Sequence, residues 1–208
     1  IDQVAVMAIS GGGPPALEFA LRYPERTWGL VMIATSSDIE VARDARKVRN
    51  PDGSSPPPGW LLDLIFSDVI SWVLTNIAHR KPDWVLPSVV GEAYAQLVLD
   101  DPVKYHLYTG LVNSLSLTSL RREGSFNDNQ QYIKYTGNPF ENIKDPMLLL
   151  QGTKDDKVLA VQQQYLDEVV PNSIYLEIEG GTHYMAASHN DVLAPLILEF
   201  LEEYSPEN

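Results

Sequence analysis

One stretch constrains the fold of this chain more than any other: MAISGGGPPALEFA, Met7 to Ala20. Val4 to Ile9 is a short, almost wholly apolar run, the pattern of a strand covered on both faces. It ends abruptly in a serine and three glycines. Pro14 and Pro15 then suit the first turn of a helix, where a missing N–H costs nothing. Ala16, Leu17, Ala20 and Leu21 recur at helical spacing until Tyr23-Pro24 stops them, and Trp28 to Ala34 is a second apolar strand. Strand, helix and strand at this spacing predict a βαβ unit with parallel neighbouring strands.

The pattern changes after that unit. Residues 37 to about 136 hold a Pro/Ser/Gly break, Pro51 to Gly59, and then helical segments over Trp60 to Ala78, Gly91 to Leu99 and Pro102 to Leu117. Strand pattern returns at Met147 to Gln151, followed by a helix over about Ala160 to Val169, a strand near Ile174 to Ile178, and a helix near Val192 to Glu203. The expected architecture is α/β: mainly parallel strands flanked by helices, with an inserted helical cap. Residues 1–36 and 141–208 are expected to form the core, and residues 37–140 the insert.

Composition narrows the partners. Across 208 residues, 28 acidic against 15 basic side chains give a net charge of −13. That balance repels nucleic-acid phosphate and anionic lipid, and no basic stripe offsets it. There is no cysteine, which excludes disulfides, thiol catalysis and zinc–thiolate sites. The longest apolar runs, such as Gly29 to Ala34, fall far short of the ~20 residues a spanning helix needs. The compartment stays open.

A hydroxyl is a poor nucleophile at neutral pH unless a base removes its proton and donors stabilise the oxyanion. A sharp strand-to-helix turn lifts such a side chain out of the sheet edge and aims a helix N-terminus at it. Small residues two before and two after the serine are expected there, and Ala8 and Gly12 flank Ile9-Ser10-Gly11 in those places. A phosphate-cradling turn is the alternative reading. Against it, G-x-x-x-x-G-K-S/T is absent, and Ala16 stands where the last glycine of G-x-G-x-x-G belongs. Two further loops follow predicted strands: Gly152-Thr153-Lys154-Asp155-Asp156, and Glu179-Gly180-Gly181-Thr182-His183. Serine, acid and histidine in that order, each at a strand's carboxyl end, are a hydrolytic arrangement. Asp156 and Asp38 remain alternatives to Asp155 as the acid. His79, His106 and His189 are read as surface or insert residues.

These residues resemble the α/β-hydrolase family in its lid-bearing branch. The resemblance rests on AISGGGPPALEFALRYPERTWGLVMIATS, NIKDPMLLLQGTKDDKV, VPNSIYLEIEGGTHY and a closing helix ending EFL. The insert matches only in kind, with Arg121-Arg122-Glu123-Gly124 and Asn127-Asp128 similar to a lid's return segment. The resemblance implies Ser10 as nucleophile, His183 as general base, Asp155 as the acid orienting it, and the Gly11 N–H as one oxyanion donor. Serine at the elbow, in place of aspartate, implies acyl chemistry or hydrolysis of a carbon–carbon bond in a diketone. The family places four strands and a second oxyanion donor before the elbow, so the chain is expected to be the carboxyl-terminal part of a longer hydrolase. Val4 to Ile9 would then present an unpaired apolar edge. Its expected partner is a missing N-terminal half, or a second copy associating through that edge.

The expected activity is therefore hydrolysis of a small, fairly apolar ester or related acyl compound by a Ser-His-Asp triad, with no cofactor. Trp60, Phe66 and Trp72 are candidates to line an apolar acyl pocket, and the same pattern describes a helix buried against the body. Asp155 and Asp156 with Asp128 show no metal-ligand spacing. A ligand-binding or interaction module of the same fold, with little or no turnover, is the rival from another class.

Overall fold

The computed structural model describes residues 1–49, 67–114, 116 and 118–206. The described residues divide into two compact units. The first holds residues 1–49, 133–183 and 189–206; the second holds the described residues between 67 and 132 together with Tyr184–Ser188.

The first unit is built on four parallel strands, β1 (Val4–Ile9), β2 (Thr27–Ile33), β3 (Met147–Gly152) and β4 (Ser173–Ile178), in the spatial order of the chain. Parallel neighbours need crossovers. Helix α1 (Gly13–Arg22) joins β1 to β2, and α8 (Val161–Val169) joins β3 to β4. The register places Ala8, Met32, Leu149 and Tyr175 in one row across the sheet. The first three are buried against Ala16, Leu17 and Ala20 of α1, Leu166 of α8, and Phe140 with Ile143, and Tyr175 packs at their margin. Burial of side chains such as Leu17 and Leu149, each worth about 1.5–3 kcal/mol, is the term that fastens these helices to the sheet. Successive residues of a strand point to opposite faces. Gly29 accordingly faces α10 (Asn190–Tyr204), where an added Cβ would stand 3.3 Å from the Phe200 ring.

Among the described residues, β1 lies at the edge of the sheet and pairs with β2 alone. Its Ala8 is buried under α1, whereas Met7 and Ile9, on the other face, are 52% and 48% exposed. Among the described residues, the face carrying Met7 and Ile9 is only partly covered.

The second unit is helical: α3 (Asp68–Arg80), α4 (Pro82–Val90), α5 (Glu92–Asp100), α6 (Pro102–Ser114), α7 (Ser119–Tyr132) and the short α9 (Met185–Ser188). Ser67 caps α3 by accepting the Ile70 N–H. Leu86, Val90, Ala95, Val98, Tyr108, Val112 and Ala187 form its core. Burial pushes the Tyr108 phenol up to about 12, and its hydroxyl donates to the Ala78 carbonyl. Lys104 is also buried, with Nζ donating to the Ser188 carbonyl at 2.8 Å.

Three features differ from the sequence reading. Helix α2 (Ile39–Arg49), placed by the pattern in the insert, groups with the sheet because it packs on α8. Pro82–Val90 is a helix despite Pro82 and Pro87: the first sits where no N–H is needed, and the second is carried inside the helix. α7 buries no residue at all, so it had no apolar stripe for periodicity to detect.

Candidate active site

All four strands run the same way, so their carboxyl ends share one edge of the sheet. Ser10 leaves β1 directly into a short 3-10 turn, Ser10–Gly12, and then α1. Its φ of 55° lies in the left-handed region, a conformation that costs about 1–3 kcal/mol for a residue with a side chain. Surrounding structure holds that strain: the Ser10 carbonyl accepts the N–H of Ser36, from the turn after β2, and that of Gly13. The small residue this closeness demands is Gly13, not Gly12. A Cβ on Gly12 would meet the Ala8 Cβ at an ordinary 3.7 Å, whereas one on Gly13 would lie 2.0 Å from the Ser36 carbonyl oxygen.

His183 bridges Ser10 and Asp155. Its Nδ1 is 2.9 Å from Asp155 Oδ2, and its Nε2 is 2.8 Å from Ser10 Oγ. A carboxylate only accepts, so Nδ1 carries the proton, which leaves Nε2 to accept from the serine hydroxyl. The Asp155 side chain is fully buried and that of His183 is 10% exposed. Burial pushes the Asp155 carboxyl up, but the His183 hydrogen bond, the Val158 and Lys157 N–H groups and the charge of His183 outweigh it. The net effect holds it below its ordinary value. The Val158 and Lys157 N–H groups both donate to Oδ1, which leaves Oδ2 for the imidazole.

The alternatives fall elsewhere. Asp156 is exposed and pairs with Lys157 at 3.1 Å. Asp38 is buried, and its two oxygens accept the N–H groups of Glu40 and Gly137, which ties the start of α2 to the segment before β3. His79 is half-buried and bonds Asn113 at 2.8 Å, and His106 is exposed on α6. His189 is a correction: it is a buried residue of the first unit at the start of α10, with its carbonyl accepting from Val192 and Leu193. Gly11 follows Ser10 in the 3-10 turn, with open space where a side chain would stand. Trp72 is 66% exposed on α3; Trp60 and Phe66 lie outside the described residues.

Among the described residues, no group of three or more His, Asp or Glu side chains is placed to hold a metal ion. None of the described helices is long and apolar enough to cross a membrane. The pattern reading missed Gly152, where an added Cβ would lie 2.2 Å from the Gly181 carbonyl oxygen. A glycine at a strand end was the only signal, and it marks many turns.

No protein-family model matches the chain. No curated protein is significantly similar to it. Solved structures do match. An α/β-hydrolase fold protein from Nakamurella multipartita is 20% identical, with 98% of this chain and 70% of that one aligned at a TM-score of 0.79. A serine hydrolase from the polyaromatic-hydrocarbon-degrading bacterium Cycloclasticus zankles is 14% identical, with coverages of 100% and 66% and a TM-score of 0.62. A 2-hydroxy-6-oxo-6-phenylhexa-2,4-dienoate hydrolase from Rhodococcus is 14% identical, with coverages of 97% and 65% and a TM-score of 0.60. The chain spans between 65% and 70% of the length of these structures. At these identities the likeness establishes the fold, and the chain has the α/β-hydrolase fold.

Proposed function

We propose that Ser10, His183 and Asp155 are the catalytic row of a serine hydrolase that cleaves carboxylic esters through an acyl-enzyme. The observation that carries this reading is the single imidazole hydrogen-bonded on one side to a hydroxyl and on the other to a buried carboxylate. Such a row serves a base that must take a proton, hold it and return it. Ser10 Oγ attacks the ester carbonyl carbon as its proton passes to His183 Nε2. The C=O pair moves to oxygen, where the Gly11 N–H is the expected donor. Collapse of that intermediate breaks the bond to the alcohol oxygen, which takes the proton from Nε2. Water then repeats the sequence on the acyl-enzyme, with His183 as its base, and releases the acid. Asp155 keeps Nδ1 protonated and stabilises the imidazolium.

Net charge bears on the substrate. At −13 the chain disfavours approach of anions, which argues for uncharged esters over carboxylate-bearing diketones. That weighs against the carbon–carbon bond reading, although the fold accommodates enzymes of both kinds.

The test is the intact mass of the protein before and after a fluorophosphonate. One adduct on the wild type, absent in Ser10→Ala, is the expected result, followed by turnover of short neutral aryl esters. A folded wild type that takes no adduct would overturn the reading and favour a binding module.

A further inference from the structure

The ladder between β3 and β4 ends at the pair Gly152 and Ile178. Asp155 and His183 both lie beyond it, so the sheet itself does not set their separation. Four hydrogen bonds order the two turns, and three of them run from one turn to the other. The N–H groups of Thr153 and Gly181 both reach the Ile178 carbonyl at 3.0 Å, and the Lys154 N–H reaches the Gly181 carbonyl at 2.9 Å. The fourth runs from the Gly180 N–H to Thr153 Oγ1 at 2.8 Å. Gly180 has a φ of 75°, a left-handed conformation, and its N–H takes a side-chain hydroxyl as acceptor in the turn that leads to His183. The two turns are packed as tightly as backbone allows, since a Cβ on Gly152 would stand 2.2 Å from the Gly181 oxygen.

We infer that Thr153 is a positioning residue: by accepting the Gly180 N–H, its hydroxyl clasps the turn carrying His183 to the turn carrying Asp155 and keeps the imidazole in line with Ser10. The inference rests on the serine-hydrolase reading above. Of the four bonds, this is the only one whose acceptor is a side chain, and so the only one a side-chain substitution removes. It is also exposed. Losing it hands the Gly180 N–H to water at little cost in stability. Rate is more sensitive, because displacement of a catalytic group by a fraction of an ångström to one ångström slows reaction tenfold to a hundredfold. A residue that matters for alignment and little for folding is therefore expected here.

The experiment compares wild type, Thr153→Val, Thr153→Ser and Ser10→Ala. Valine keeps the shape and removes the acceptor, and serine keeps the acceptor. Four quantities are read: the saturating rate of fluorophosphonate labelling, the concentration giving half that rate, the low-field proton resonance of the His183 Nδ1–H···Asp155 bond, and the melting temperature. Thr153→Val should label about tenfold more slowly at saturation, with half-saturation unchanged and the resonance weakened. Thr153→Ser should restore both rate and resonance. Thr153→Val labelling at the wild-type rate with its resonance intact would overturn the inference. So would a rate loss that merely tracks a lower melting temperature and is not rescued by serine. If the wild type forms no Ser10 adduct, the hydrolase reading fails by itself. The resonance then decides the clasp: weakened in Thr153→Val and restored in Thr153→Ser supports it, and unchanged in both overturns it.

Discussion

Gly13 and Ser36 approach so closely that one added carbon on the glycine would sit 2.0 Å from the Ser36 carbonyl oxygen and 2.9 Å from the Thr35 Cβ. The same turn sends the Ser36 N–H to the Ser10 carbonyl. Replacing Gly13 by alanine should therefore push the turn after β2 away from the elbow and cost about 1–3 kcal/mol, as overpacking does. Gly11→Ala, with nothing within 4 Å of the new carbon, should stay within about 0.5 kcal/mol of wild type. Chemical denaturation of the two variants checks this; equal losses would refute it.

Asp155→Asn should leave the fold intact and slow ester hydrolysis on the order of 10⁴-fold, because an amide no longer enforces the tautomer with Nδ1 protonated. Steady-state kinetics on a neutral aryl ester, with circular dichroism as the folding control, reads the effect. A loss under tenfold would point to a different acid.

The same carboxylate makes a pH prediction. Its folded-state value lies below the ordinary 3.8, so it binds its proton more weakly folded than unfolded. Its contribution to stability is therefore complete above pH 3.8 and is lost as pH falls through the lower folded-state value. The stability difference between wild type and Asp155→Asn should be flat near neutrality and shrink with acid below that point. Urea unfolding at a series of pH values tests it, and a difference that grows on acidification contradicts it.

Asp38→Ala should separate support from chemistry. It strips the Glu40 and Gly137 N–H groups of their shared acceptor, at about 1–3 kcal/mol for donors left unsatisfied in a partly buried place. Labelling of Ser10 per folded molecule should not change. A fall in labelling matching that of Asp155 variants would return Asp38 to the list of catalytic acids.

Much of the first unit was legible along the chain. Apolar runs bounded by Gly, Pro and polar residues located all four strands within one residue at each end, and α8 and α10 within two. The elbow, acid and histidine turns could be read because each follows a strand and carries the residue type its chemistry needs. The helical unit was less legible for a physical reason: Pro87 sits inside α4, and α7 is solvated on every side. Periodicity reports burial: α4 buries Leu86 and Val90, but Pro87 between them breaks the helical signal, whereas α7 buries no residue.

Sequence alone set the order serine, acid, histidine and the strand-and-helix alternation that puts them at one sheet edge. Tertiary structure decided what neighbouring residues share. The resemblance pointed to Asp155 and left its neighbour Asp156 as an alternative; the fold buries the first against His183 and exposes the second beside Lys157. Of three consecutive glycines, only the fold makes Gly13 the one with no room. Local pattern records which residues a segment can bury; the hydrogen bond between Ser10 and His183, 173 residues apart, arises only when β1 and β4 are brought into one sheet.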